Sequence, residues 1–423
     1  MMHTEKLSLK TLLSYAATAI PLAMLGLPLY IYLPTFYAQH TELGIALVGS
    51  ILFISRLTDV ITDPLVGLYN DRFQSRYGKR KPFMLAGTLL LLGSFYALIH
   101  PSAAYTSLWL LVFSVLVYLG WSIISIPYLA WSAEITTDYH EKTRLSAARE
   151  LFGIIGALGA LLIPYLYSVS EDAQKSLELL YAACVISLAI LFPLTLLGTK
   201  EKVAPSTEQV TLQKIITLWK KNPSLYTLQT AFTLNSLANA LPATLFLFYV
   251  ELVLQEPSKT GMLLLLYFIS GIIGLPFWSM LACKIGKTKS WQGSMALASL
   301  AFVFVPFLDS NDLVLFALIT FVSGLSLGAD MALPASIQTD VVQKIQTEKH
   351  SYAGVLFGIW AMLTKFALAL AVGLGFVILG AVGFDAKAPT PLALSTLSLL
   401  YGGMPVVLKM LSFWIMRGYR DHA

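Results

Sequence analysis

The chain has 423 residues, of which 57% are hydrophobic and 12% charged, and its mean hydropathy is +0.73. Soluble domains carry charge on about a quarter of their residues, so a water-soluble globular fold is excluded and a bilayer is the expected solvent. The formal net charge of +5 reflects where basic residues sit between apolar runs, and is not a nucleic-acid signature.

A spanning helix needs about 20 apolar residues. About twelve runs of that size follow one another, at 11–37, 44–69, 82–98, 106–133, 145–169, 175–197, 224–253, 258–283, 291–308, 312–341, 350–382 and 391–416. With the N-terminus inside, the inner segments hold Lys6, Lys10, Arg72, Arg76, Lys79, Arg80, Lys81, Lys142, Arg144, Lys200, Lys202, Lys214, Lys220 and Lys221. Further along they hold Lys284, Lys287, Lys289, Lys344, Lys349, Lys409, Arg417 and Arg420, whereas the outer segments hold only Lys175, Lys259 and Lys387. This asymmetry predicts both termini in the cytoplasm of a multi-pass inner (plasma) membrane protein. The first run is long enough to be a permanent span, so no cleavable signal is expected. Cys184 and Cys283 fall in different spans and imply no disulfide.

The second run opens into SRLTDVITDPLVGLYNDRFQSRYGKRKP, residues 55–82, and carries Arg56, Asp59 and Asp63 inside it. Charges at that depth cost about 3 kcal/mol each on insertion scales. Asp59 and Asp63 are four apart and share a helix face with Arg56 and Thr62. Two carboxylates on one face repel unless a cation or proton lies between them. The arrangement describes a proton or alkali-cation site, with Thr62 and neighbouring hydroxyls as further oxygens. The plainer alternative is that Asp63 pairs with Arg56 or with the basic loop. That loop contains Gly67, Asp71, Arg72, Gly78, Lys79, Arg80 and Lys81. It reads as a positive-inside anchor and, more richly, as a charged gate.

Later runs add further polar residues. The fourth carries Tyr118, Trp121, Ser125, Tyr128 and Trp131, and the fifth begins near Arg149 and Glu150 with small-residue spacing at Gly153, Gly156 and Gly159. Aromatic rings with a few polar groups suit a sugar, and suit a lipid equally. Asn235 and Asn239 in the seventh run are amides that need partners in hydrocarbon. Asp330 in the tenth lies one turn before Pro334 and is either a substrate carboxylate, a partner for Lys365, or one arm of a structural salt bridge. Trp360 and Lys365 lie in the eleventh, where a buried ammonium needs a partner unless it snorkels. Asp138 and Asp340 close the similar segments EITTD and SIQTD and read as gate or capping residues.

The polar segment 200–222 separates six runs (1–199) from six (223–423), and the halves echo each other weakly. Residues 28–37, PLYIYLPTFY, match 242–249, PATLFLFY, and YGKRK at 77–81 matches KIGKTK at 284–289. Twelve spans in two repeated halves predict an all-α membrane protein of the major facilitator fold, two pseudo-symmetric six-helix bundles. Asp59 and Asp63 have no acidic counterparts in the second half, which reads GIIGLPFW there. A feature confined to one half is better explained by binding than by scaffold.

The pattern R-x-x-D-x-x-x-D-P-x-x-G, followed by D-R and S-R-x-G-[KR]-x-[KR]-P, resembles the glycoside–pentoside–hexuronide:cation symporters. The resemblance covers nearly the whole chain. It implies a cation site at Asp59 and Asp63 with Thr62 and Ser122 as extra ligands, and Lys365 facing it as the coupling cation with Arg56. It also implies an Arg149 that hydrogen-bonds a polar substrate, the alternative being that Arg149 and Glu150 pair with local charges at the inner end. The melibiose-type substrate carboxylates are replaced here by Ala23 and Ser125, so a rebuilt pocket is expected. Its candidates are Tyr118, Trp121, Ser125, Tyr128, Arg149, Asn239, Asp330 and Trp360.

No nucleotide loop, metal-ligand cluster or nucleophile triad is evident in the sequence. The expectation is a monomeric Na+- or H+-coupled importer of a sugar, glycoside or hexuronide, with no cofactor, no enzyme activity and no nucleic-acid partner. The alternatives are a symporter of a lysolipid or other amphiphile, and a non-transporting sensor on the same fold.

Overall fold

A computed structural model of the protein describes residues 6–26, 28–43, 45–73, 75–102, 106–169, 172–201, 212–345, 352–384 and 389–419. Residues 202–211 of the expected linker, Lys202 among them, lie outside the described residues, as do Lys349, Lys387 and Arg420.

The described elements are all helical. In chain order they are α1 (Leu9–Ala17), α2 (Ala19–Met24), α3 (Leu33–His40), α4 (Ile45–Arg72), α5 (Lys81–Ile99), α6 (Thr106–Ile135), α7 (Tyr139–Leu166) and α8 (Ala173–Gly198). There follow α9 (Leu212–Lys221), α10 (Pro223–Phe248), α11 (Thr260–Ile285), α12 (Lys287–Phe302), α13 (Leu313–Ile345), α14 (Ala353–Ala381), α15 (Pro391–Ser398) and α16 (Met404–Arg417). Among the described residues, ten helical stretches are long and apolar enough to span a bilayer. α4 is also long enough, with 28 residues, but carries the charged motif. The first run completes the twelve segments.

That first run is not one helix. It breaks into α1, α2, a π-helical turn at Pro28–Tyr32, and α3. Pro21, Pro28 and Pro34 each lack the N–H that would continue the ladder, which counting apolar residues does not register. Other helix starts follow their chemistry. Asp138 accepts from His140 N–H and Glu141 N–H and caps α7, Asp172 caps α8, and Pro223 and Pro391 open α10 and α15.

The chain forms two compact units. Unit 1 is residues 1–211 with 342–362, and unit 2 is residues 212–341 with 363–423. In unit 1 the core gathers Tyr15, Tyr37, Leu91, Phe95, Ile124 and Trp131. In unit 2 it gathers Tyr249, Leu263, Phe316, Leu397 and Tyr401. Large apolar side chains such as Leu89, Ile190, Leu197, Val314 and Val377 are exposed on the helices, the surface a bilayer covers. Cys184 is buried and Cys283 exposed.

Candidate functional site

Within unit 1, α4 carries the charged motif. Asp63 is fully buried and Asp59 is 6% exposed. From α6, Ser122 Oγ donates to Asp59 Oδ1 at 2.8 Å. A hydroxyl that donates its proton keeps lone pairs for a cation. Thr62 Oγ1 is also a donor, to the Asp59 carbonyl at 3.2 Å, a bond within its own helix. Pro64 follows Asp63 and has no N–H to give the Val60 carbonyl. Arg56 is half-buried, and its Nε donates to Tyr118 Oη at 3.5 Å.

The remaining substrate candidates of unit 1 are placed as follows. Tyr128 Oη donates to the Tyr15 carbonyl at 2.6 Å, Tyr15 Oη donates to the Tyr128 carbonyl at 3.0 Å, and the rings lie 4.7 Å apart. Its hydroxyl joins α6 to α1. Trp121 and Ser125 are half-buried on α6, and Trp360 is buried on α14. Arg149 is buried and pairs with Glu150, while its Nη1 has no hydrogen-bond partner.

The loop after α4 forms a dense ionic network. Asp71 accepts the N–H groups of Gly354 and Val355 at 2.9 and 2.8 Å, at the N-terminus of α14, where helix geometry favours an anion. Arg80 Nη2 lies 3.0 Å from Asp71 Oδ1 and 2.8 Å from Glu134 Oε1, and Lys79 Nζ lies 3.1 Å from Glu134. Burial opposes the Arg80 charge, but Glu134 and Asp71 outweigh it and hold the guanidinium above its ordinary range. Asn70 also bonds Arg80 and the Lys79 carbonyl. Glu201 accepts the N–H groups of Lys79 and Arg80 at 2.7 and 2.8 Å. Gly78 has φ +99°, a left-handed turn that suits glycine. Gly67 and Gly354 meet closely: a Cβ on Gly67 would lie 2.2 Å from the Gly354 carbonyl oxygen. Arg72 is exposed, and Lys81 Nζ lies 5.5 Å from the Trp131 ring centroid.

In unit 2, Asp330 is the hub of a second buried network. Its Oδ2 accepts from Lys409 Nζ at 2.8 Å and Asn239 Nδ2 at 3.0 Å, and its Oδ1 from Trp291 Nε1 at 2.9 Å. Lys409 Nζ also donates to Asn235 Oδ1 at 2.9 Å. Lys409 is therefore not an inner-flank charge, as the topology tally had it, but a buried residue of α16 that partners Asp330. Lys287 and Asp340 pair at 2.5 Å. Lys365 is half-buried on α14. Sequence reasoning missed Asn70, Glu134, Glu201 and the role of Lys409. Glu134 and Glu201 are acidic residues at span ends facing a basic loop, the one available clue.

The described residues contain no cluster of His, Cys, Asp and Glu suited to a metal ion. The model of the MFS/sugar transport protein family matches residues 14–420. The chain is 24% identical to the sodium-dependent lysophosphatidylcholine symporter 1 of Gallus gallus, over 98% of this chain and 87% of that protein. It is 22% identical to the glucuronide carrier protein homolog of Escherichia coli, over 98% and 93%. Among solved structures, a bacterial homologue of the iron transporter ferroportin in an outward-facing state superposes with a TM-score of 0.74 at 13% identity, covering 97% of this chain and 98% of that one.

Proposed function

Since this chain belongs to the MFS/sugar transport protein family, a family of membrane transporters and not of enzymes, we propose that it is a cation-coupled symporter that moves its substrate by alternating access. The observation that carries the reading is the Ser122 hydroxyl on the Asp59 carboxylate, one helical turn from the buried Asp63. Two carboxylates and a hydroxyl oxygen offer the oxygen-only chemistry that alkali cations and protons use. The coupling ion is Na+ or H+, and Lys365 on α14 is the candidate counter-charge when the ion is absent.

The substrate we favour is a glycoside or hexuronide. The match to the MFS/sugar transport protein family supports this, and Arg149 offers a polar substrate an Nη1 donor that makes no hydrogen bond. Such a donor is costly unless a substrate oxygen or carboxylate meets it. A lysolipid is the second reading, favoured by the full-length likeness to a lysophosphatidylcholine symporter. The test is a melting-temperature screen of the purified protein against sugars, glycosides, hexuronates and lysolipids, each in NaCl and in choline chloride. Ligands of the folded state raise the midpoint by mass action. A shift with one sugar class that is lost in Arg149→Lys supports the proposal. A shift with lysolipids alone replaces it with the second reading, and a binding shift with no flux in proteoliposomes means a sensor.

A further inference from the structure

Unit 2 contains a cavity of about 190 Å³ whose two ends differ in chemistry. One end is aromatic. Tyr401 and Phe316 line it and both pack on Tyr249, with ring centroids 4.2 Å and 5.4 Å apart. Tyr401 sits in the π-helical turn Leu399–Gly403, an irregularity that recurs at functional sites. The other end is polar and is built by Asp330, Lys409 and Asn239. There the charges already balance. Lys409 neutralises Asp330, and Asn239 and Trp291 fill the carboxylate's other positions.

The lining also holds Ser299 and Ser326, which are 5% and 1% exposed. Neither Oγ has a hydrogen-bond partner. A helical serine ordinarily returns its hydroxyl to a carbonyl one turn back, as Ser270 does to Leu266 at 2.6 Å. Two buried hydroxyls without a partner cost stability, and both stand at the same cavity.

We infer that this cavity is a binding site for a small neutral molecule made of one six-membered ring bearing a hydroxyl group. A cavity of about 150 Å³ with apolar walls takes benzene, so the space here admits one ring and one polar substituent. The aromatic end packs the ring face or edge. The orphaned serines and the Asn239 amide receive the hydroxyl. The ligand is neutral because a net charge would sit unpaired beside a network whose own charges cancel. The site goes beyond the cation-coupled reading and does not depend on it, since every lining residue belongs to unit 2.

The test uses the purified full-length chain in detergent and fluorine NMR of 4-fluorophenol, with fluorobenzene as the analogue lacking the hydroxyl. The expected result is saturable one-to-one binding of 4-fluorophenol, tighter than that of fluorobenzene. Ala298→Leu fills the cavity and should weaken binding about tenfold or more. Ser326→Ala removes an unsatisfied hydroxyl, so folding is spared, and it should narrow the difference between the two probes. Photolabelling of the unmodified chain with 4-azidophenol gives a reading free of folding effects, with adducts expected on cavity-lining residues of α10–α13 and α16. Absence of saturable binding, binding unchanged in folded Ala298→Leu, or adducts confined to other regions would overturn the inference.

Discussion

Lys409 and Asp330 lie 79 residues apart in sequence and form a buried ion pair at 2.8 Å, with side-chain exposures of 9% and 6%. The pair ties α16 to α13, and Asn235 and Asn239 bring α10 into the same network. Removing one member of a buried pair leaves the other charge uncompensated, which is costlier than the pair itself is favourable. Lys409→Met is therefore expected to destabilise the protein by about 3–5 kcal/mol. The double variant Asp330→Asn with Lys409→Met should recover most of that loss. Thermal midpoints of the unmodified protein and the two variants measure both steps.

The close approach of Gly67 and Gly354 leads to a prediction about transport. A Cβ on Gly354 would lie 2.5 Å from the Gly67 carbonyl oxygen, whereas one on Gly373, in the same helix, meets nothing within 4 Å. Backbone cannot yield as a side-chain tip can, so Gly354→Ala forces α4 and the first turns of α14 apart and disturbs the Asp71 contacts there. Uptake by Gly354→Ala should fall while Gly373→Ala transports normally. Equal uptake by the two would contradict this role.

Glu201 predicts how the loop after α4 is held. Its carboxylate accepts the backbone N–H groups of Lys79 and Arg80, and at 3.4 Å that of Lys81. Glu201→Ala should cost roughly 1–3 kcal/mol through the donors left unmet. Glu201→Gln, which keeps an acceptor oxygen, should cost less. Denaturation midpoints order the three proteins.

Tyr128 separates packing from binding. Its hydroxyl donates to the Tyr15 carbonyl while Tyr15 returns the bond to the Tyr128 carbonyl. Tyr128→Phe is expected to cost about 1 kcal/mol of stability and to leave the substrate KM unchanged. A raised KM without loss of stability would return Tyr128 to the substrate pocket.

The spans were legible because hydropathy and length act locally. The α4 motif was legible because a charge in an apolar run is conspicuous wherever the chain goes next. Partners were not. Lys409 looked like one more basic flank because its neutralising carboxylate lies 79 residues away. Glu134 and Glu201 meet Lys79 and Arg80 only after three helices have folded. Thr62 sits one turn from Asp59 in α4, and its hydroxyl donates to the Asp59 carbonyl, a bond that spacing alone does not reveal. The breaks of the first span were written in its prolines, whose effect depends on how neighbouring helices receive the freed carbonyls.

The central claim is that Asp59, Asp63 and Ser122 bind the coupling cation. The most direct measurement is charge displacement in proteoliposomes adsorbed on a solid-supported membrane, after a jump in Na+ or in H+ concentration and without substrate. The unmodified protein should give a saturable signal with one of the two ions. Asp63→Asn and Asp59→Asn should abolish it, and Ser122→Ala should shift its half-saturation to higher concentration. An undiminished, saturable signal in folded Asp63→Asn would contradict the account.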